Sequence, residues 1–107
     1  MKYNSDWSKT IAIDFDGVVH NMNKGWQDGK IYGELVDEVL ESITELLKHG
    51  FIPIICTSRE KLAPVRVWLK KKGLNIEVTN KKIPCLAIID DRAIRFTNWN
   101  DIKNLFI

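Results

Sequence analysis

The chain has 107 residues, of which 45% are hydrophobic and 28% charged, and its formal net charge is +2. The length predicts one domain spanning residues 1–107 with a core of its own, and the composition excludes a disordered chain. A net charge this small does not by itself predict a nucleic-acid-binding protein. Basic residues nevertheless cluster at positions 70–72 and 81–82, so nucleic acid stays open as a partner.

The two cysteines, Cys56 and Cys85, are too few for a disulfide framework in so short a chain, and they indicate a reducing compartment. The first residues lack the apolar core of a signal peptide. No apolar run approaches the roughly 18–20 residues that a membrane-spanning helix needs. We therefore expect a cytoplasmic protein without membrane contact.

The first predicted element is a buried strand at residues 10–15, which is short, apolar and rich in β-branched side chains. A glycine-rich flap loop follows at residues 17–33, with a small hairpin between residues 18–20 and 30–32. Loops of this length inside compact proteins are usually functional. We expect His20, within this loop, to lie at the surface.

The rest of the chain alternates between helical and strand patterns. Apolar residues recur at helical spacing from Glu34 to His49, and Gly50 follows as a stop signal. The later predicted elements are a strand at 51–56, a helix at 62–72, strands at 76–78 and 86–89, and a helix at 98–105. We expect Trp68 to lie in the core and Trp99 to anchor the last helix. This order predicts an α/β fold of three layers, Rossmann-like, with a mostly parallel sheet and helices on both faces.

Polar side chains follow three of the four predicted strands. They are Asp14 and Asp16 at the first, Thr57 and Ser58 at the second, and Asp90 and Asp91 at the fourth. Ligands of such sheets bind outside the carboxyl ends of the strands, so we expect these groups to converge. Converging carboxylates repel one another, and a hard divalent cation such as Mg²⁺ relieves the repulsion and favours phosphorylated substrates.

The same residues suit phosphoryl transfer. A carboxylate such as Asp14 can attack phosphorus, and a second one two residues later, Asp16, can act as general acid and base. Thr57 offers a hydroxyl to a phosphoryl oxygen, and Lys82 offers positive charge to the transferring group. Gly17 keeps the backbone small where a phosphate approaches.

At these positions the chain resembles the haloacid dehalogenase-like hydrolase superfamily. The first motif, an apolar strand ending in Asp-x-Asp-Gly, matches residues 11–18, and the second, a strand ending in Ser or Thr, matches residues 54–57. The third, a lysine before the fourth strand, is best matched by Lys82, with Lys81 as the competing choice. The fourth, a strand ending in acidic residues, matches residues 87–91. The resemblance covers the chain from about residue 10 to 106.

The resemblance implies a role for each matching residue. Asp14 looks like the nucleophile and a magnesium ligand. Asp16 looks like the general acid and base, with its backbone carbonyl also on the metal. Asp90 looks like a further metal ligand, and Asp91 like its support or the holder of a metal-bound water.

The other matching residues look like phosphate-binding groups. Thr57 looks like the phosphate-holding hydroxyl, with Ser58 beside it, and Lys82 like the neutralising lysine. Two arginines flank the site in sequence, Arg59 and Arg92, and each either binds substrate phosphate or pairs with a carboxylate.

Residues 17–33 are too short for the cap domain that many members of this superfamily carry, so the chain resembles the capless branch. An open site of that kind suits a large substrate, such as a nucleic-acid end or a phosphoprotein. A second subunit would also cover it, which leaves a homodimer open. The flap aromatics Trp26 and Tyr32 either stack on a base or pack against the sheet.

The prediction is thus a magnesium-dependent phosphatase that acts on a phosphomonoester through an aspartyl-phosphate. A catalytically silent metal- or phosphate-binding module with an accessory role is the alternative. A response-regulator receiver is disfavoured. That family has its acidic pair after the first strand and its phosphorylated Asp after the third, whereas this chain has Asp14 and Asp16 at the first strand and its acidic pair after the fourth. The chain lacks the Gly-x-x-x-x-Gly-Lys of a P-loop kinase.

Overall fold

The computed structural model describes residues 7–107. Its sheet is all-parallel, with the strand order β3-β2-β1-β4. The strands are β1 at Thr10–Asp14, β2 at Ile52–Cys56, β3 at Glu77–Thr79 and β4 at Ala87–Ile89. The central strand β1 is paired on both sides, with Ile13 opposite Ile55 of β2 and Ile89 of β4. Its alternating side chains are therefore buried on both faces of the sheet.

Three α-helices accompany the sheet: α1 at Val39–Lys48, α2 at Ala63–Lys71 and α3 at Trp99–Asn104. Short 3₁₀ turns lie at Trp7–Lys9 and Gln27–Gly29. Both α1 and α2 contribute to the larger core cluster on one face of the sheet. That cluster contains Ile43 of α1 and Val65 and Leu69 of α2, together with Ile11, Ile13, Phe15, Val19, Ile55, Leu74 and Val78.

The other face of the sheet carries a second, smaller core cluster, formed by Ala12, Ile54 and Ile83. Ile83 lies in the connection between β3 and β4, and it covers the middle of the sheet from that side. The predicted fold class is confirmed: the chain has the α/β, three-layer Rossmann-like fold, and the segment between β1 and α1 holds only the 3₁₀ turn rather than a cap. Within residues 7–107, no helix combines the length and apolar character that crossing a membrane requires.

The helix α1 starts at Val39, five residues later than the apolar spacing predicted, because the backbone just before it is used by the flap. Leu35 forms an antiparallel bridge with His20, and the Val36 N–H donates to the carbonyl of Val19 at 2.9 Å. The predicted hairpin between residues 18–20 and 30–32 is wrong for the same reason, since His20 pairs with Leu35 instead.

The prediction that Trp99 anchors the last helix is also wrong. Its side chain is 74% exposed. Among the aromatic rings of residues 7–107, it contacts only that of Phe96, edge to face, at 5.7 Å between centroids. The helix α3 is instead started by Asn98, whose side chain accepts a hydrogen bond from the Asp101 N–H. Trp68 is half-buried and packs against the larger core cluster, as expected.

Candidate active site

Three carboxylates meet at the carboxyl edge of the sheet. Asp14 ends β1, and Asp90 and Asp91 directly follow β4. Because β1 and β4 are neighbouring parallel strands, their carboxyl ends lie side by side. One oxygen from each of the three side chains lies within 4.8 Å of the others. This spacing allows a single cation to contact all three.

The electrostatics of this cluster are unbalanced. Burial raises the pKa of Asp14 from its ordinary 3.8 to about 6, and the negative charge of Asp90 adds to the rise. Asp91 and Asp16 contribute in the same direction, while a hydrogen bond with the backbone of Phe15 opposes them. Among residues 7–107, every charged side chain that shifts the pKa of Asp14 is a carboxylate. The oxygen donors and their uncompensated charge fit a hard divalent cation such as Mg²⁺.

Gly17 lies against this cluster in a left-handed conformation, with φ of +89°. A Cβ atom at this position would overlap Oδ2 of Asp91. Glycine is therefore required both by the backbone angle and by the approach of a carboxylate, rather than by the approach of a phosphate alone. The sequence identified the residue, and the structure supplies a reason that the sequence did not contain.

A pocket of about 420 Å³ opens over the carboxylates. Its walls combine acidic, hydroxyl, basic and apolar side chains: Asp14, Asp16, Gly17, Met22, Trp26, Thr57, Ser58, Asp91 and Arg92. The Thr57 N–H donates to the carbonyl of Thr79 at 3.0 Å, and its hydroxyl oxygen accepts from the Arg59 N–H at 3.2 Å. Thr57 thus organises the turn after β2 while it lines the pocket.

Asp16 is held by two basic side chains. Arg59 donates from Nε to one carboxylate oxygen at 2.8 Å and from a terminal nitrogen to the other at 2.9 Å, while His20 contacts the second oxygen at 2.9 Å. Burial alone would raise the pKa of Asp16, but the hydrogen bonds from Arg59 and His20 outweigh it and lower that pKa below its ordinary value. The carboxylate is therefore ionised and well ordered at neutral pH.

His20 is fully buried, so the expectation of a surface histidine is wrong. Its Nε2 accepts a hydrogen bond from the Gly33 N–H at 2.9 Å, which leaves Nδ1 to carry the proton donated to Asp16. The ring packs against the aromatic rings of Phe15, Tyr32 and Trp68 at 5.3–5.5 Å between centroids. Two features of the sequence could have indicated a buried His20: the apolar residues Val18 and Val19 directly before it, and its position four residues after Asp16.

Arg59 also connects the site to the flap. One of its terminal nitrogens donates to the carbonyl of Gly29 at 2.6 Å, and the guanidinium lies over the ring of Trp26 at 4.5 Å. The sequence left open whether Arg59 binds substrate phosphate or pairs with a carboxylate, and in the structure it pairs with the carboxylate of Asp16. Trp26 stacks on this arginine, and the hydroxyl of Tyr32 donates to the carbonyl of Gly25 at 2.8 Å. The flap aromatics therefore order the flap itself.

The two candidate motif lysines stand apart from this arrangement. Lys81 and Lys82 are exposed and do not line the pocket over the carboxylates. Ile83, the next residue after this lysine pair, is the one that is buried, in the core cluster on the second face of the sheet. Asp90 is also exposed, and its Oδ1 accepts from the Arg92 N–H at 2.8 Å.

Comparison with known proteins finds a solved structure with a similar fold. The chain is similar to a conserved protein of Bacteroides thetaiotaomicron. That solved structure has a TM-score of 0.67 and 24% sequence identity, over 92% of this chain and 88% of the other. At this identity the likeness concerns the fold alone. No family model and no curated protein matches the sequence.

Proposed function

We propose that this protein is a magnesium-dependent phosphomonoester hydrolase that works through an aspartyl-phosphate on Asp14. The observation that carries the proposal is the convergence of Asp14, Asp90 and Asp91 on a pocket that also contains Thr57. Such a site combines a nucleophilic carboxylate, oxygen ligands for a hard cation and a hydroxyl for a phosphoryl oxygen.

The proposed reaction has two steps. In the first, an Asp14 oxygen attacks phosphorus, the bond from phosphorus to the leaving oxygen breaks, and Asp16 gives that oxygen a proton, which requires Asp16 to be protonated against its lowered pKa. In the second, Asp16 takes a proton from water, which attacks phosphorus, and the bond to Asp14 breaks to release phosphate. Bound Mg²⁺ supplies positive charge that offsets the carboxylates and the phosphoryl oxygens.

The pocket walls support an extended phosphorylated substrate. Thr57, Ser58 and Arg92 provide hydroxyl and guanidinium donors for phosphoryl oxygens. The pocket is open, and Trp26 at its rim is 53% exposed although Arg59 lies over its ring, so the exposed part of the indole is available to a base. We therefore propose a phosphorylated nucleic-acid end or a phosphoprotein as the substrate class, in the cytoplasm.

A catalytically silent module that binds metal or phosphate is the second candidate, and two observations favour it. Both carboxylate oxygens of Asp16 already accept hydrogen bonds from Arg59 or His20, so this group is a poor proton donor. In addition, Lys82 is exposed and outside the pocket. A module of this kind would bind Mg²⁺ and turn over no phosphoester.

The test measures hydrolysis of an aryl phosphate and of 3′- and 5′-phosphorylated oligonucleotides with Mg²⁺. We expect Asp14→Asn to lower the rate by on the order of 10³-fold or more, because it removes the nucleophile. The matched control is Asp28→Asn, an exposed flap carboxylate outside the pocket, which should leave the rate unchanged. Activity that survives Asp14→Asn rejects the nucleophile. Calorimetric binding of Mg²⁺ without any hydrolysis by the wild type favours the silent module.

A further inference from the structure

The C-terminal segment, residues 92–107, presents large apolar side chains to solvent. Phe96, Trp99 and Phe106 are 60%, 74% and 72% exposed. Trp99, the half-buried Ile102 and Phe106 recur at spacings of three and four residues, so they form one stripe along α3 and the turn that follows it. Exposed apolar side chains on one side of a helix are typical of a helix that binds in a hydrophobic groove.

The exposed area of the rings is a large part of what a stable interface needs. A fully exposed aromatic side chain presents about 150–250 Å², so the three rings alone present roughly 400 Å². That is about half of the ~800 Å² that each partner contributes to a standard protein interface. Further exposed side chains on the segment, on β4 or directly before β4 add to it: Ile94, Leu105, Ile107, Ile88 and Leu86.

A groove of matching character lies between α1 and the edge strand β4. It has a volume of about 250 Å³, and its walls are mostly apolar: Val18, Val19, Val36, Val39, Ile43, Leu46 and Ile89. This is smaller than the roughly 300–1,000 Å³ of a typical small-molecule pocket. An apolar groove of this size is suited to one or two large side chains of a helix.

The charges around the two surfaces are complementary. The rim of the groove is acidic, with Asp37 and Glu38 lining it and Glu41 beside it on α1. The C-terminal segment carries three basic residues, Arg92, Arg95 and Lys103, against one acidic residue, Asp101, so its charge is net positive. Opposite charges around an apolar contact guide association and fix its register.

We propose that the C-terminal segment of one copy docks into the groove between α1 and β4 of a second copy of this chain. Each chain contains both the helix and the groove, so a two-fold dimer satisfies both surfaces at once with a closed, isologous interface. The groove is lined by no residue after Ile89 in the described chain, and its own segment therefore leaves it free. The second copy is the occupant that brings the matching stripe and the matching charges together.

The first experiment measures the native mass of the full chain by light scattering at micromolar concentrations. We expect twice the 12.4 kDa of one chain for the wild type, and 12.4 kDa for Trp99→Asp. Val67→Asp is the matched control, since Val67 is 53% exposed on α2 and lies outside both surfaces, and it should stay dimeric. Circular dichroism verifies that each variant is folded. A monomeric wild type, or a dimer that survives Trp99→Asp, overturns the proposal.

The second experiment assigns the groove by exchanging charges. One chain carries Asp37→Lys and Glu41→Lys, and the other carries Arg95→Glu and Lys103→Glu. Each chain alone should be monomeric, because like charges then face each other across both contacts of the homodimer. An equimolar mixture should form a heterodimer, in which both contacts again join opposite charges. A mixture that stays monomeric, or single chains that stay dimeric, overturns the assignment of the groove.

Discussion

The side chain of Arg59 donates to both oxygens of Asp16, through Nε at 2.8 Å and a terminal nitrogen at 2.9 Å, across 43 residues of sequence. The pair is largely shielded from solvent, with side chains that are 10% and 19% exposed. The same guanidinium holds the flap through the carbonyl of Gly29 and the ring of Trp26. Arg59 thus joins the ordering of the flap to the charge state of a proposed catalytic carboxylate.

Arg59→Ala should destabilise the protein by about 1–3 kcal/mol at pH 7, because it leaves the part-buried Asp16 carboxylate with fewer donors. The pKa of Asp16 is lowered in the fold, so the stabilisation is present above the ordinary carboxyl pKa and is lost as the pH falls. The stability difference from wild type should therefore shrink below about pH 4. Urea unfolding at pH 7 and pH 3, without metal, measures it.

The control for this prediction is Arg66→Ala, which removes an exposed arginine from α2. Its effect should stay within about 0.5 kcal/mol. Equal losses for the two variants, or a difference that grows on acidification, would contradict the role given to the Arg59–Asp16 pair.

Asp14→Asn should make the metal-free protein more stable at pH 8, by about 1 kcal/mol. The pKa of Asp14 is raised to about 6, so its favourable contribution exists below 3.8 and is lost as the pH rises through 6. The magnitude is reduced from that of the full shift because the carboxylate is partly solvated. The gain should be small by pH 4, because Asp14 is then neutral in the folded chain and only about half ionised in the unfolded chain.

Thermal unfolding in a chelator at pH 4, 6 and 8 measures this gain, and repeating the series with Mg²⁺ tests the site. Added Mg²⁺ should raise the melting temperature of the wild type and of Asp28→Asn, but not that of Asp14→Asn. A variant that is less stable than wild type at pH 8 in chelator would show that Asp14 is not under electrostatic strain.

Gly17→Ala should destabilise the protein and weaken Mg²⁺ binding about tenfold, because the new methyl group displaces the Asp91 carboxylate. Gly25→Ala is the matched control: Gly25 also has a positive φ, of +75°, but a Cβ there meets nothing within 4 Å. Both variants bear the backbone strain, and only the first disturbs Asp91. Calorimetric titration with Mg²⁺ compares them, and equal affinities would refute the proposed contact.

The thiol of Cys56 should react slowly with iodoacetamide. Burial raises its pKa from 9.0 to about 11, with smaller contributions from Cys85 and Asp14, and two pKa units reduce the thiolate fraction about 100-fold. Peptide mass mapping at pH 8 should show alkylation of Cys56 at least that much slower in the folded chain than in urea. Alkylation at the same rate in both conditions would rule out the raised pKa.

The fold was predictable because it depends on local patterns. Four short apolar segments predict the strands of the parallel sheet, and two segments with apolar residues at helical spacing predict the two helices packed on it. Each of these patterns can be recognised within its own segment, without knowledge of the rest of the chain. The convergence of Asp14 with Asp90 followed from the same reasoning, since parallel neighbouring strands bring their carboxyl ends together. Helix starts were less predictable. The first turn predicted for α1, beginning at Glu34, is not helical, because Leu35 forms a backbone bridge with His20 instead.

The surroundings of the carboxylates depended on the tertiary structure. Whether His20 is buried, whether Arg59 reaches Asp16, and whether Lys82 reaches the pocket are questions about contacts between segments far apart in sequence. Such contacts are set by packing and by the pairing of buried polar groups, neither of which leaves a periodic trace along the chain. Residue types and strand order therefore specify where the acids meet, while packing in three dimensions decides which side chains surround them.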